Sequence, residues 1–118
     1  MTLQFTPGDD LIFQLESGYG LLRVLAVDET DAGAVWHLAA YEDLFPDVET
    51  AEAALAAPAR LIVRATHLAL TDRALEKTPA ARLGNRPVRD DELAAYRDWQ
   101  AHGGEPSERS ALLLLGLR

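Results

Sequence analysis

The stretch GDDLIFQLESGYGLLRVLAVD, residues 8–28, decides the fold. Leu11, Phe13 and Leu15 alternate with Ile12, Gln14 and Glu16, the period of a strand with one face more buried than the other. Ser17, Gly18, Tyr19 and Gly20 supply a turn, because glycine reaches positive φ without steric cost. Leu21 to Val27 are apolar throughout except for Arg23, so the second strand is covered on both faces and central in its sheet. Arg23 then needs a carboxylate partner, or a sheet end that lets it reach water. Nothing in this hairpin is equipped for chemistry.

Outward from the hairpin, DETDAG (28–33) reads as a turn and AVWHLAAY (34–41) as a third strand, giving a meander. EDLFPDVET (42–50) is an acidic connection around Pro46. Thr50 is the expected N-cap of a short alanine-rich helix that stops near Ala57, since Pro58 disfavours helical geometry in the residue before it. RLIVRATHLAL (60–70) reads as a fourth strand, and EKTPAARLGNRP (76–87), with two prolines, a glycine and an asparagine, as a loop. Asp90 caps a second helix in which Leu93, Tyr96 and Trp99 share a face, ending at Gly103 and Gly104. The tail SERSALLLLGLR is too apolar to be left in water; it packs on the sheet or offers a route to homo-oligomers. Residues 1–118 are expected to form a single α+β domain. Its core is a small, strongly bent antiparallel sheet or SH3-like barrel of four to five strands, accompanied by two helices.

At 118 residues the chain can bury roughly two-thirds of its unfolded surface without a disulfide or metal. It has no cysteine, which excludes disulfides, thiolate metal sites and cysteine nucleophiles. Met1 leads into polar and turn residues, and no apolar run reaches the ~20 residues needed to cross a bilayer, so a cytoplasmic protein without a membrane partner is expected. Ten of the eleven basic residues are arginine, which with the many Ala and Leu residues suggests a GC-rich bacterial genome.

The net charge of −8 is uneven. Up to Ala59 eleven acidic residues face the single basic Arg23, a balance of −10; from Arg60 onward eight acidic and ten basic residues give +2. Such an N-terminal half repels phosphate backbones, so no nucleic-acid partner is expected there. It suits solubility, or attraction of a basic protein through complementary fields.

The chemistry-bearing residues are sparse. His37 and His67 lie on two expected strands, but no spacing rule makes them metal ligands with Glu42 or Asp43, and no metal or cofactor is expected. The serines lack a nucleophile elbow and the glycine stretches lack the P-loop pattern. Asp28, Glu29 and Asp31 begin like a calcium loop with Gly33 at the sixth position, yet the twelfth is Ala39 rather than a carboxylate. What remains is an interface of Asp28, Glu29, Asp31, Glu42, Asp43, Asp47 and Glu49 with Tyr41 and Phe45 as aromatic anchors.

The pattern formed by Phe5, Gly8, Asp9, Leu11, Leu15, Gly18, Tyr19, Gly20, Arg23, Val24 and Leu25 resembles the opening of a bacterial immunity-protein family of polymorphic toxin systems, over about the first forty residues. The resemblance implies a mostly β protein that neutralises a co-encoded toxin by binding, with no catalytic residues. An acidic inhibitor of a basic toxin is consistent with the charge asymmetry. The alternatives are an enzyme or small-ligand binder with a pocket between sheet and C-terminal helix holding His37, His67 or Tyr41, and a structural protein that self-associates through its tail.

Overall fold

The computed structural model describes residues 4–117. Five strands, β1 (Asp9–Leu15), β2 (Gly18–Thr30), β3 (Gly33–Tyr41), β4 (Val63–Thr71) and β5 (Ala80–Asn85), form one antiparallel sheet in the order β4-β3-β2-β1-β5. With β4 and β5 at opposite edges the sheet is open rather than closed into a barrel. Four short α-helices accompany it instead of two: α1 (Val48–Ala54), α2 (Asp72–Glu76), α3 (Ala94–Ala101) and α4 (Ala111–Leu115), with 3-10 turns at Pro58–Arg60 and Asp90–Leu93. No helix among the described residues is long and apolar enough to cross a membrane.

The first hairpin follows its sequence pattern. β1 and β2 pair from Asp10↔Arg23 to Leu15↔Gly18, and β2 is central. Gly20 faces Phe13, whose ring covers it so closely that a Cβ there would collide with the ring. The 28–33 segment is mostly strand: β2 runs to Thr30 and β3 starts at Gly33, which leaves only Asp31 and Ala32 as the loop. The 76–87 segment likewise contains a strand, because β5 pairs with the outer edge of β1 from Ala80↔Phe13 to Asn85↔Asp9.

Side-chain alternation gives the sheet two different faces. On one, Leu11, Phe13, Leu22, Val24, Trp36 and Leu38 form the main core, closed by Ala74 and Leu75 of α2 and by Ala111 and Leu115 of α4. The apolar tail is thus drawn onto the sheet. Ser110 Oγ caps α4 by accepting from Leu113 N, and Thr78 Oγ1 accepts from Ala111 N. Leu113 and Leu114 remain exposed, the two residues on which self-association through the tail would rest.

The opposite face carries a smaller apolar group, Ile12, Leu21 and Tyr41 with Ala51 of α1, flanked by Phe45 and Tyr19. Beside it runs a layer of polar side chains covered by the Asp90–Leu93 turn and α3. Asp47, not Thr50, is the N-cap of α1: its Oδ1 accepts from Thr50 N at 2.7 Å and from the Thr50 hydroxyl at 2.6 Å. Loss of the acceptor in Asp47→Ala is therefore expected to fray α1 more than Thr50→Ala does, read as faster amide exchange at Thr50 and Ala51.

Candidate functional site

Two charged residues at the sheet centre are almost wholly enclosed. Arg23, 0% exposed, makes six hydrogen bonds. It donates to Glu92 Oε1 at 2.6 Å and Oε2 at 3.2 Å, to Asp10 Oδ1 at 3.3 Å, and to the carbonyls of Gly8, Arg86 and Pro87. Asp10, 1% exposed, also receives both arms of Arg86, at 2.7 and 2.8 Å. Burial pushes the Glu92 carboxyl up, but the hydrogen bonds from Arg23 and from the Arg89 N–H, with the charges of both arginines, leave it below its ordinary range. The carboxylate partner that Arg23 required is thus doubled, and the network ties β1, β2, the 86–87 segment and the turn before α3 together.

Farther along the same face His37 uses both ring nitrogens. Asp28 can only accept, so His37 Nε2–H donates to Asp28 Oδ2 at 2.9 Å, and His37 Nδ1 accepts from His67 Nε2–H at 2.9 Å. Tyr96 of α3 donates its hydroxyl to Asp28 Oδ1 at 2.7 Å, and the Tyr96 and Trp99 rings lie 4.3 and 4.9 Å from the His37 ring. Trp99 is half-buried over the histidines, whereas Trp36 is a core residue.

Burial lowers the His37 pKa against the opposing bond and charge of Asp28. Burial and then the neighbouring His37 push His67 down to about 4. Burial and then the hydrogen bond to Asp28 push Tyr96 up to about 12. At neutral pH the imidazoles are uncharged and the phenol keeps its proton. A base of that strength is poorly matched to proton transfer near pH 7. The cluster's evident work is to hold α3, none of whose residues is fully buried, against the sheet.

The nine residues read as an interface divide between the two ends of β3. Asp28, Glu29 and Asp31 sit at the β2–β3 turn, while Tyr41, Glu42, Asp43, Phe45, Asp47 and Glu49 follow the other end of β3, roughly 25 Å away at the rise of an extended strand. They do not form one surface. Asp28 is engaged by His37 and Tyr96. Tyr41 is buried, and its hydroxyl accepts from Arg86. Phe45 is half-buried and bridges Tyr19 through two backbone bonds. Glu29, Asp31, Glu42, Asp47 and Glu49 are exposed.

At the Tyr41 end the exposed apolar residues are different ones: Leu44 (45%), Ile62 (57%) and Val63 (48%). The backbone brings their two segments together: Glu42 N donates to Ile62 O, Ile62 N donates to Asp43 Oδ1, and Val63 pairs with Tyr41. RLIVRATHLAL (60–70) reads as a strand in the sequence. Ile62 and Val63 are exposed at the start of that edge strand, while Leu61 packs beside Tyr41.

A cavity of about 270 Å³ lies between the sheet and the segment leading into α3, where a pocket was expected. Tyr41 lines it with Ala39, Val63, Ala95, Asp91 and Glu92, whereas His37 and His67 do not. No group of three or more His, Asp or Glu side chains suited to a metal ion occurs among the described residues. No protein-family model, curated protein or solved structure matches the chain.

Proposed function

We propose that this chain is a non-catalytic binding module that docks a basic protein at the Tyr41 end of β3, in the manner of an immunity protein neutralising a toxin. The supporting observation is that Leu44, Ile62 and Val63 are each exposed in two paired segments that also carry Glu42, Asp43, Asp47 and Glu49. Apolar side chains exposed together and ringed by charge are the anatomy of an interface, an anchor region inside a polar rim. Four carboxylates against Arg60 and Arg64, which flank Ile62 and Val63, leave an acidic excess that favours a basic partner and makes encounter faster at low salt. The hairpin's resemblance to an immunity-protein family points the same way.

The structure also sharpens the test. Asp43 and Asp47 hold backbone groups in place, so reversing their charge would disturb the fold as well as the surface. Glu42 and Glu49 are free of such bonds through their carboxylates among the described contacts. Tagged protein is captured from cells of its source at low and high salt, and the basic protein released by salt is purified and titrated against variants. Ile62→Asp and the pair Glu42→Lys with Glu49→Lys are each expected to weaken its binding at least tenfold, about 1.4 kcal/mol. Unchanged affinity in both would exclude this surface.

A further inference from the structure

The 270 Å³ cavity adjoins the proposed docking patch through Val63, which belongs to both. We infer that it is a receptor for one arginine side chain of the partner, an assignment that rests on the docking reading above and specifies its chemistry. The volume lies below the ~300–1,000 Å³ of pockets that enclose whole small-molecule ligands, so its occupant is side-chain sized.

Its walls and rim specify that side chain further. Ala39 at 8% exposure forms a deep apolar wall, and Ala95 of α3 and Val63 continue it outward, a lining suited to an aliphatic stem. The polar groups are two carboxylates and two hydroxyls, and no basic side chain lines the cavity among the described residues. That set accepts hydrogen bonds, and since Arg23 holds Glu92 from within, Asp91, whose partner Arg89 is exposed, is the acceptor open to an incoming cation rich in donors.

The carboxylates already display the geometry in question. Glu92 grips Arg23 with both oxygens from the inner side, and Asp91 holds the forked end of Arg89 at 3.0 and 3.4 Å. The Arg89–Asp91 pair is exposed, with side chains 61% and 73% accessible, and is therefore readily exchanged. An incoming guanidinium takes the place of Arg89 on Asp91 while its stem lies along Ala39 and Ala95. A lysine presents a point charge without the planar fork and fits this pair of acceptors less well.

The probe is N-acetyl-L-arginine N-methylamide, titrated into the full chain while the alanine methyl resonances are followed. Saturable shifts of Ala39 and Ala95 with Kd on the order of 1 mM are expected. The norleucine analogue, which keeps an apolar stem and lacks the charge, should bind at least tenfold more weakly. Ala95→Leu should abolish the shifts by filling the cavity, and Asp91→Asn should weaken binding severalfold. The Trp36 indole N–H, bonded to Asp72 on the opposite face, reports that each variant remains folded.

Absence of saturable shifts up to ~50 mM, well above the Kd expected for so small a ligand, overturns the assignment, as does equal binding of the norleucine probe. If Ile62→Asp abolishes partner binding while the arginine probe leaves Ala39 and Ala95 unmoved, the cavity assignment falls and the docking surface stands. If the probe binds and Ile62→Asp leaves the partner's affinity intact, the docking surface falls and the arginine receptor stands alone.

Discussion

Arg23→Met is expected to destabilise the protein by about 3–5 kcal/mol, the range seen when one member of a buried charge network is removed. The side chain is fully enclosed at the sheet centre and gives three of its six bonds to backbone carbonyls and three to carboxylates. Methionine fills much of the same space, so the loss is polar. Asp10 keeps both arms of Arg86, whereas Glu92 loses its buried partner and the Gly8, Arg86 and Pro87 carbonyls lose a donor. Urea unfolding at pH 7 measures the cost.

A second variant separates the charge left behind from lost packing. Glu92→Leu combined with Arg23→Met removes the orphaned carboxylate, so the double variant should be less destabilised than the sum of the singles, with a coupling of about 1–3 kcal/mol. Arg86→Met, at a guanidinium 23% exposed, should cost less than Arg23→Met because Asp10 retains Arg23. A cost below 1 kcal/mol for Arg23→Met would mean that water reaches the network and that it does not clamp the segment before α3.

Arg23 also marks how far the sequence could be read. One arginine in an otherwise apolar run, Leu21 to Val27, identified a central strand and its need for a carboxylate. Which carboxylate is a matter of tertiary structure: Asp10 is its register partner across the hairpin, but Glu92 lies 69 residues away. β5 had no readable pattern because AARLGN has a single large apolar side chain, and it is a strand by virtue of the free edge of β1. His37 and His67 were each placed on a strand, yet their contact depends on the β3–β4 register and its irregularity between Leu38 and Ala40. Asp28 read as an exposed turn acid since nothing local shows that β2 continues to Thr30 or that Tyr96 arrives above it. The apolar patch was hidden for the converse reason: alternation shows which residues are apolar, and strand order decides whether anything covers them.

The histidine pair should make stability depend on mild acid. In the unfolded chain each imidazole protonates near pH 6.5, whereas burial and its neighbour hold His67 down to about 4 in the folded protein. Between those values the unfolded state binds more protons, so stability falls as pH drops from about 6.5 toward 4; above that window both states are neutral and the pair contributes no slope. His37 is shifted in the same direction. An undiminished shift of this size would correspond to about 3 kcal/mol, and partial exposure of His67 screens it to about 1–2 kcal/mol.

The groups facing the pair set how the loss is felt. His67 can accept a proton at Nδ1 while Nε2–H still donates to His37, and Asp28 retains its bonds from His37 and Tyr96. A second proton, on His37, would set two N–H groups against each other and undo the layer on which Tyr96 and Trp99 rest. His67→Gln preserves a donor toward His37 and removes the titration. Urea unfolding at pH 7.5 and pH 5 should therefore show wild type losing about 1–2 kcal/mol more than His67→Gln over the interval, within the window just derived and above that of most carboxylates. Equal losses in the two proteins would show that His67 titrates alike folded and unfolded. The pair would then be solvated, and the attachment of α3 would rest on its aromatic contacts alone.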